Sequence, residues 1–377
     1  MIVAGFILAA AMLREINLMM LLFGVMVGVM AISYRLARNT LRGLEFKRHL
    51  PDSVCAGDLL IVEFEARNTR RRLPSWAVVV SDTFTRQSAS RRPRRVAAQA
   101  MFTHLPAGQT RSSGYRGRLT ERGRYRVGPL RVSTRFPFGL LRCTSWIDQP
   151  DTLIVAPRLG RLTHRWDRLR QRVDLGNELT ERRQGHSEGE FYGLRDWRPG
   201  DSRRWIHWRT SARRGGLAVR QFERQSKQDV AVLLDLWRPA KPTSAQLDTI
   251  ELAVSFVGTM VADLCRRGGR SLLVAVSGPS PMVSVGATSW AIMREAMHNL
   301  SVAEAGHEEH LADLLCAALD AARPGMNILL VTTHPVDLTD TQRLAEVYRD
   351  PKRRTLVKRI RIIDAGSDQL HEFYHPE

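Results

Sequence analysis

Residues 229–235 read DVAVLLD, an unbroken apolar run closed at each end by an aspartate. A short run of this kind predicts a strand buried on both faces of a sheet rather than one with a wet face. Towards the carboxyl end, Thr243-Ser244-Ala245-Gln246 has the spacing of a capping box and predicts a helix to about Arg267. Residues 270–276 are the next apolar run. Residues 287–300 and 308–322 read as helices, the second stopped by Pro324-Gly325, and residues 327–332 are again strand-like. Thr339-Asp340-Thr341-Gln342 repeats the capping-box pattern before a further helix, and residues 355–363 supply a last strand. Strands alternating with helices over 229–377 predict a Rossmann-like, doubly wound α/β domain, with a mostly parallel sheet covered on both faces.

Just upstream, residues 185–223 read GHSEGEFYGLRDWRPGDSRRWIHWRTSARRGGLAVRQFE. Trp197, Trp205, Trp208 and eight arginines from Arg195 to Arg220 are interleaved with Glu188, Glu190, Asp196 and Asp201. Pro199-Gly200-Asp201 is a turn: proline pre-sets φ, glycine tolerates positive φ, and the aspartate can cap the next element. Residues 202–213 then place Trp205, Trp208 and Ala212 on one face of an expected helix, so at least one of the two tryptophans should be buried. Asp201 is expected to cap the first turn of that helix or to meet Arg204. Arg195 and Arg204 suit bidentate pairing with carboxylates and stacking on tryptophan. The block reads either as a docking surface or as a polar network pinning a connector, residues 159–228, to the domain after it. Asp201 with His207 also allows an acid–base pair, but no nucleophile or metal cluster accompanies them.

This block resembles the signature of the DUF58 family of bacterial and archaeal proteins. That pattern runs from a glutamate-containing glycine segment through R-x-Y/W-x-x-G-D-x-x-R-x-I-x-W to T/S-A-R. Gly189-Glu190, Arg195, Trp197, Gly200-Asp201, Arg204, Ile206, Trp208 and Ser211-Ala212-Arg213 fill those positions. The resemblance extends to Arg122-Gly123-Arg124-Tyr125, to Phe136-Pro137-Phe138-Gly139-Leu140 and to the apolar amino terminus. It marks Glu190, Arg195, Trp197, Gly200, Asp201, Arg204, Trp208 and Arg213 as the signature and docking set. It also implies a von Willebrand factor A-like carboxyl domain, and a MoxR-type AAA+ ATPase as associate in the assembly of protein complexes. A-like domains with a working metal site carry D-x-S-x-S after the first strand, whose short hydroxyls suit Mg²⁺. Asp235 matches the aspartate, but Trp237 and Pro239 fill the serine positions, and Thr333-His334-Pro335 follows strand 327–332 where a serine–aspartate pair is expected. No metal or other cofactor is therefore expected, Asp235 being the remnant of a lost site. No G-x-x-x-x-G-K-[S/T] phosphate loop occurs.

Residues 44–158 change period. Strand-like runs at 59–66, 76–80, 125–127 and 153–155 are separated by turns at 56–58, 72–74, 106–108 and 128–129, which predicts an antiparallel β-sandwich. The arginine-rich stretch 88–95 reads as a solvated loop, and Phe136 and Phe138 as plugs at one end of the core. Ahead of this, residues 2–13 are apolar, Arg14 and Glu15 interrupt, and residues 16–34 are apolar over a length that spans the ~30 Å hydrocarbon core of a bilayer. Residues 1–43 are expected to anchor the chain, as an apolar transmembrane hairpin or as a single span near 16–34. Arg35, Arg38, Arg42, Lys47 and Arg48 follow, and positive flanks stay inside, which puts the bulk of the chain in the cytoplasm at the inner (cytoplasmic) membrane.

Over the whole 377 residues, 57 basic groups face 38 acidic ones, and only five of the 57 are lysines. Such an excess suits nucleic acid, anionic lipid or an acidic protein, and also an arginine-biased composition. Four dispersed cysteines with no C-x-x-C pair argue against zinc ribbons, thioredoxin-type sites and disulfide scaffolds. The expectation is a membrane-anchored, non-enzymatic adaptor with an unknown client protein. An arginine-rich nucleic-acid-binding protein is the alternative, since tryptophans among arginines stack on bases. Scarce lysines, interleaved acids and the lack of a known module argue against nucleic acid. A hydrolase built on Asp201, His207 and Asp235 is the third reading, without a nucleophile motif to support it.

Overall fold

The computed structural model describes residues 17–87, 95–168, 190–198, 201–223, 229–269, 271–323, 325–367 and 369–376. The chain divides into two compact units, Met1–Arg158 and Leu159–Glu377.

The first unit begins with helix α1 (Asn17–Leu41), of which Leu18–Leu41 is long and apolar enough to cross a membrane. Residues 2–13, the first limb of the expected hairpin, lie outside the described residues, as does the loop at 88–94. The helix runs past Tyr34 because its last turns have something to pack on. Ser33, Ala37 and Thr40 recur at helical spacing and are buried, while Leu18, Leu21 and Val25 are exposed. The Arg70 guanidinium donates to the Asn39 carbonyl (2.8 Å) and the Ser75 hydroxyl to that of Thr40 (2.9 Å), so the helix end is tied to the loop at 69–75.

Two sheets follow. One joins β1 (Leu44–His49), β3 (Leu59–Asn68) and β6 (Thr110–Arg118) in the order β1-β3-β6. The other runs β2 (Ser53–Cys55), β10 (Asp151–Ala156), β7 (Gly123–Val127), β4 (Ser75–Gln87), β8 (Leu130–Thr134), β9 (Cys143–Ile147), with β5 (Arg95–Leu105) also on β4. All pairs are antiparallel except β10 with β2. In β3 the alternation is complete: Leu60, Val62, Phe64 and Ala66 enter the core and the residues between them face water. β6, TRSSGYRGR, has no apolar alternation and was not legible as a strand. Its backbone is recruited by β3, which it meets in register from Leu59↔Arg118 to Arg67↔Thr110. Phe136 is half-buried and Phe138 exposed, so the expected plug of two phenylalanines is not made. Arg48, expected in the basic flank, is instead buried and faces Asp82 and Asp151 (both 2.8 Å).

The second unit holds a five-stranded sheet in the order β16-β15-β14-β17-β18. These are β14 (Asp229–Asp235), β15 (Ser271–Val276), β16 (Met282–Gly286), β17 (Asn327–Thr332) and β18 (Ile360–Asp364), parallel except for the edge strand β16. β14 lies at the centre and alternates between two cores. Val232 and Leu234 pack under the helix Ser244–Arg267 and the helix Trp290–Val302; Ala231 and Leu233 pack under the helix Leu311–Ala321. The helix expected after 339–342 and the strand expected at 355–363 are both found, the strand only from Ile360 as β18. The next helix starts at Ala345, and Thr355 belongs to the helix Pro351–Val357, which Asp350 caps by accepting the Lys352 N–H (2.8 Å), with Pro351 in its first turn. The carboxyl strand β19 (Tyr374–Pro376) pairs with β11 (Gly160–Leu162). A side chain at Gly160 would collide with the His375 carbonyl and the Tyr374 ring, so this pairing requires glycine. Trp166 and Tyr374 each meet Phe256 edge-on, at 5.7 and 5.8 Å, and close the core there.

Candidate functional site

The signature residues sit on and after a hairpin of β12 (Glu190–Asp196) and β13 (Ala218–Glu223). Arg195 stands opposite Val219, and the Trp197 N–H donates to the Leu217 carbonyl (2.8 Å). From there the Arg195 guanidinium reaches Asp201 with two N–H groups, each 2.6 Å from a different carboxylate oxygen. Asp201 Oδ2 accepts the Arg198 N–H as well (2.9 Å), which closes the turn. This fork-on-fork geometry is what planar guanidinium and carboxylate groups favour. The Arg195 hydrogen bonds, helped by the Arg198 N–H, pull the Asp201 carboxyl from its ordinary 3.8 down to about 2.

Asp201 therefore neither caps a helix nor meets Arg204, and the expected helix over 202–213 is broken. Ser202 Oγ accepts the Arg204 N–H (3.4 Å) and caps a single 3₁₀ turn, Arg203–Trp205. Ile206 is buried and bridges to Val219. His207 then caps a new helix, α2 (Trp208–Arg214), its Nδ1 accepting the Thr210 N–H (3.3 Å), and Gly215 ends it at φ 70°. The break rotates the apolar face. Trp205 is half-buried, Trp208 is 67% exposed, and Ala212 is exposed while Ser211 turns inward to accept the Ala218 N–H (2.9 Å). Arg204, Arg209 and Arg213, before and after Trp208 in sequence, are exposed, and Trp197 is half-buried. Gly200 lies outside the described residues, and the backbone of Glu190 pairs with Glu223. Asp201 and His207 spend their polar atoms on separate partners, Arg195 and Thr210.

Asp235 stands at the carboxyl end of β14, paired with Thr332 of β17, where the strand order reverses. It is 2% exposed. Its Oδ2 has no hydrogen bond and lies 3.7 Å from His334 Nδ1, which has none either. Burial pushes the Asp235 carboxyl above the usual carboxylate range, against the pull of His334 and Ser277. Two of the nearby hydroxyls are occupied, whereas Thr332 Oγ1, on the residue opposite Asp235, has no hydrogen bond. Ser277 Oγ accepts the Leu236 N–H (2.7 Å), and Thr333 Oγ1 accepts the Trp237 N–H (2.9 Å) and donates to its carbonyl (2.8 Å). The Trp237 indole donates to the His307 carbonyl (3.1 Å) and its ring lies 5.1 Å from His334. A hard cation wants several converging oxygens. Here the unpartnered donors are one carboxylate oxygen, one threonine hydroxyl and an imidazole, fewer oxygens than Mg²⁺ takes, so this donor set does not fit it. His334 was not legible as a partner of Asp235, because only the sheet register joins the two.

A β-sandwich with an apolar helix, followed by an α/β unit whose entry hairpin is locked by an arginine–aspartate pair, defines the class. Residues 193–367 match the model of the family "Protein of unknown function DUF58". It is 24% identical over 243 residues to "Uncharacterized protein YeaD" of Bacillus subtilis, covering 64% of this chain and 58% of the relative, so it spans little more than half of that protein. Solved structures align weakly. The alkylpurine DNA glycosylase AlkC of Pseudomonas fluorescens is 15% identical over 30% of this chain and 31% of that one, with a TM-score of 0.21. A β-glucosidase of Listeria innocua is 20% identical over 28% and 15%, with a TM-score of 0.20. At these scores the likenesses carry no argument about fold or function.

Proposed function

We propose that the chain is a non-catalytic adaptor, anchored in the cytoplasmic membrane with both units in the cytoplasm, and that α2 with the turn before it is its docking surface. The observation that carries this is Trp208, exposed in a segment whose Arg204, Arg209 and Arg213 are exposed as well, just after a turn locked by the Arg195–Asp201 pair. Tryptophan and arginine dominate the energy of protein interfaces, and a cationic rim suits an acidic partner. In this reading the α/β unit is a von Willebrand factor A-like scaffold whose metal position has lost its ligands at Trp237 and Pro239. The family resemblance suggests a MoxR-type AAA+ ATPase as partner, which would bring the ATP hydrolysis for which this sequence has no phosphate loop. A further client protein would be the substrate of the assembly.

The test is binding of the detergent-solubilised full chain to a MoxR-type ATPase from the same genome. Trp208→Ala should weaken binding by about 2 kcal/mol, roughly 30-fold, as for an interface hot spot, with an unchanged melting temperature. Absence of binding, or binding indifferent to Trp208→Ala and Arg213→Ala, overturns the reading. Loss of single-stranded nucleic-acid binding in the same variants would favour the alternative.

A further inference from the structure

We propose that the end of the β-sandwich beside α1 is a second membrane contact, a surface that lies on the anionic headgroup layer of the bilayer that α1 enters. The proposal rests on α1 being a membrane helix. Asn39 and Thr40 of α1 are tied to Arg70 and Ser75. Six residues earlier, about 9 Å along the helix axis at 1.5 Å per residue, the Tyr34 carbonyl lies 4.0 Å from Cys143 Sγ at the start of β9. The step from Thr40 to Tyr34 leads towards the apolar part of the helix. The loop between β8 and β9 thus stands level with the end of that apolar stretch.

The loop before β4 shares this end. Thr134 Oγ1 donates to the Trp76 carbonyl (3.2 Å), and Trp76 stacks on Phe136 at 6.3 Å. On these two loops and at the start of β4, Leu73, Trp76, Phe138 (59%) and Leu140 (60%) are exposed. Apolar groups gathered on a surface mark a contact site. Residues 31–43, 69–76 and 134–142 together carry eight arginines and no acidic residue. Arg35, Arg38, Arg71, Arg72, Arg135 and Arg142 among them are exposed. Aromatic and aliphatic tips set among arginines, at the level where a spanning helix leaves the hydrocarbon, match the chemistry of an anionic lipid interface. An acidic protein would satisfy the arginines, but would not account for the apolar tips standing level with the helix exit.

Photocrosslinking in lipid nanodiscs tests this on the otherwise native full chain. Benzoylphenylalanine is incorporated in place of Phe138 on the loop, Leu22 in α1, or Ser112 on the exposed face of β6. In phosphatidylglycerol discs, lipid adducts are expected at positions 138 and 22 and not at 112, with the yield at 138 falling in uncharged phosphatidylcholine discs. Lipid adducts at 22 without any at 138 overturn the proposal while the anchor stands. A protein adduct at 138, or equal lipid yields at 138 and 112, also overturns it. No lipid adduct at 22 removes the anchor and this surface with it.

Discussion

Arg48 and Asp82 are 1% and 0% exposed at their side chains, and the sandwich core closes over them. The Tyr115 hydroxyl donates to the other oxygen of Asp82 (3.2 Å). Burial pushes the Asp82 carboxyl upward, and Arg48 and Tyr115 pull it back. Burial, with Asp82 beside it, also raises the Tyr115 phenol, which keeps it a donor. Removing Asp82 leaves the buried Arg48 with only the half-exposed Asp151 as an acidic partner, and breaking a buried pair costs ~3–5 kcal/mol. Asp82→Ala should therefore lower the melting temperature by on the order of 10 °C, read by calorimetry of the detergent-solubilised chain. A shift of a degree or less would show that water reaches Arg48. The Arg195–Asp201 pair behaves differently because it is partly wet. Asp201 titrates near 2 in the fold against 3.8 when free. What it contributes to stability is complete above about pH 4 and is lost as pH falls towards about 2. Parent and Asp201→Asn should thus differ in melting temperature at pH 6 and converge as the pH drops through that window. A gap that persists at the lowest pH would contradict the pairing. Neither partner was assigned by spacing alone: Arg48 looked like membrane flank, and Asp201 like a helix cap.

Two segments with the same T-x-x-Q pattern had different fates as elements. At Thr243 the box forms in full: Thr243 Oγ1 accepts the Gln246 N–H (3.3 Å) and Gln246 Oε1 accepts the Thr243 N–H (2.9 Å). At Thr339 it does not form, because aspartates intervene. Asp337 Oδ1 accepts the N–H and hydroxyl of Thr339 (2.8 and 2.6 Å), and Asp340 Oδ1 accepts the Gln342 and Arg343 N–H groups (3.0 and 3.1 Å). Short side chains that bond the nearby backbone compete with helix initiation. Thr243→Ala should cost about 1 kcal/mol in chemical denaturation, and Gln342→Ala far less. Equal losses would mean that the two segments are not distinguished in this way. Locally, then, the sequence was legible wherever one pattern had no competitor. The break at Ile206 was not legible, since that residue is claimed by a contact with Val219 from another strand.

At the scale of the whole molecule, α1 is the feature with the largest consequence. Its exposed residues Leu18, Leu21, Leu22 and Val25 would leave a long apolar cylinder in water. Carbonate extraction at high pH should leave the chain in the membrane pellet, and protease added outside intact cells should not reach the two units. Release into the supernatant would remove the anchor, and external cleavage would reverse the orientation drawn from Arg35, Arg38 and Arg42. The second unit shows the same division between local and distant pairings. Its β14-centred sheet was expected from alternating runs, whereas the β11–β19 pair that joins its first residues to its last was not.

By itself the sequence determined the apolar helix, the alternation of β3, the buried run of β14, the capping box at Thr243 and the DUF58 signature. Each of these is carried by neighbours a few residues apart, so hydrophobic period and local hydrogen bonding are enough to reveal it. Tertiary structure alone decided the burial of Arg48, the choice of Arg195 for Asp201, the facing of His334 and Asp235, and the exposure of Trp208. A side chain's partner and its solvent depend on which strands lie in register and where a helix breaks. Those are settled by pairings between residues tens of positions apart, each weak in isolation and enforced only when the common core closes.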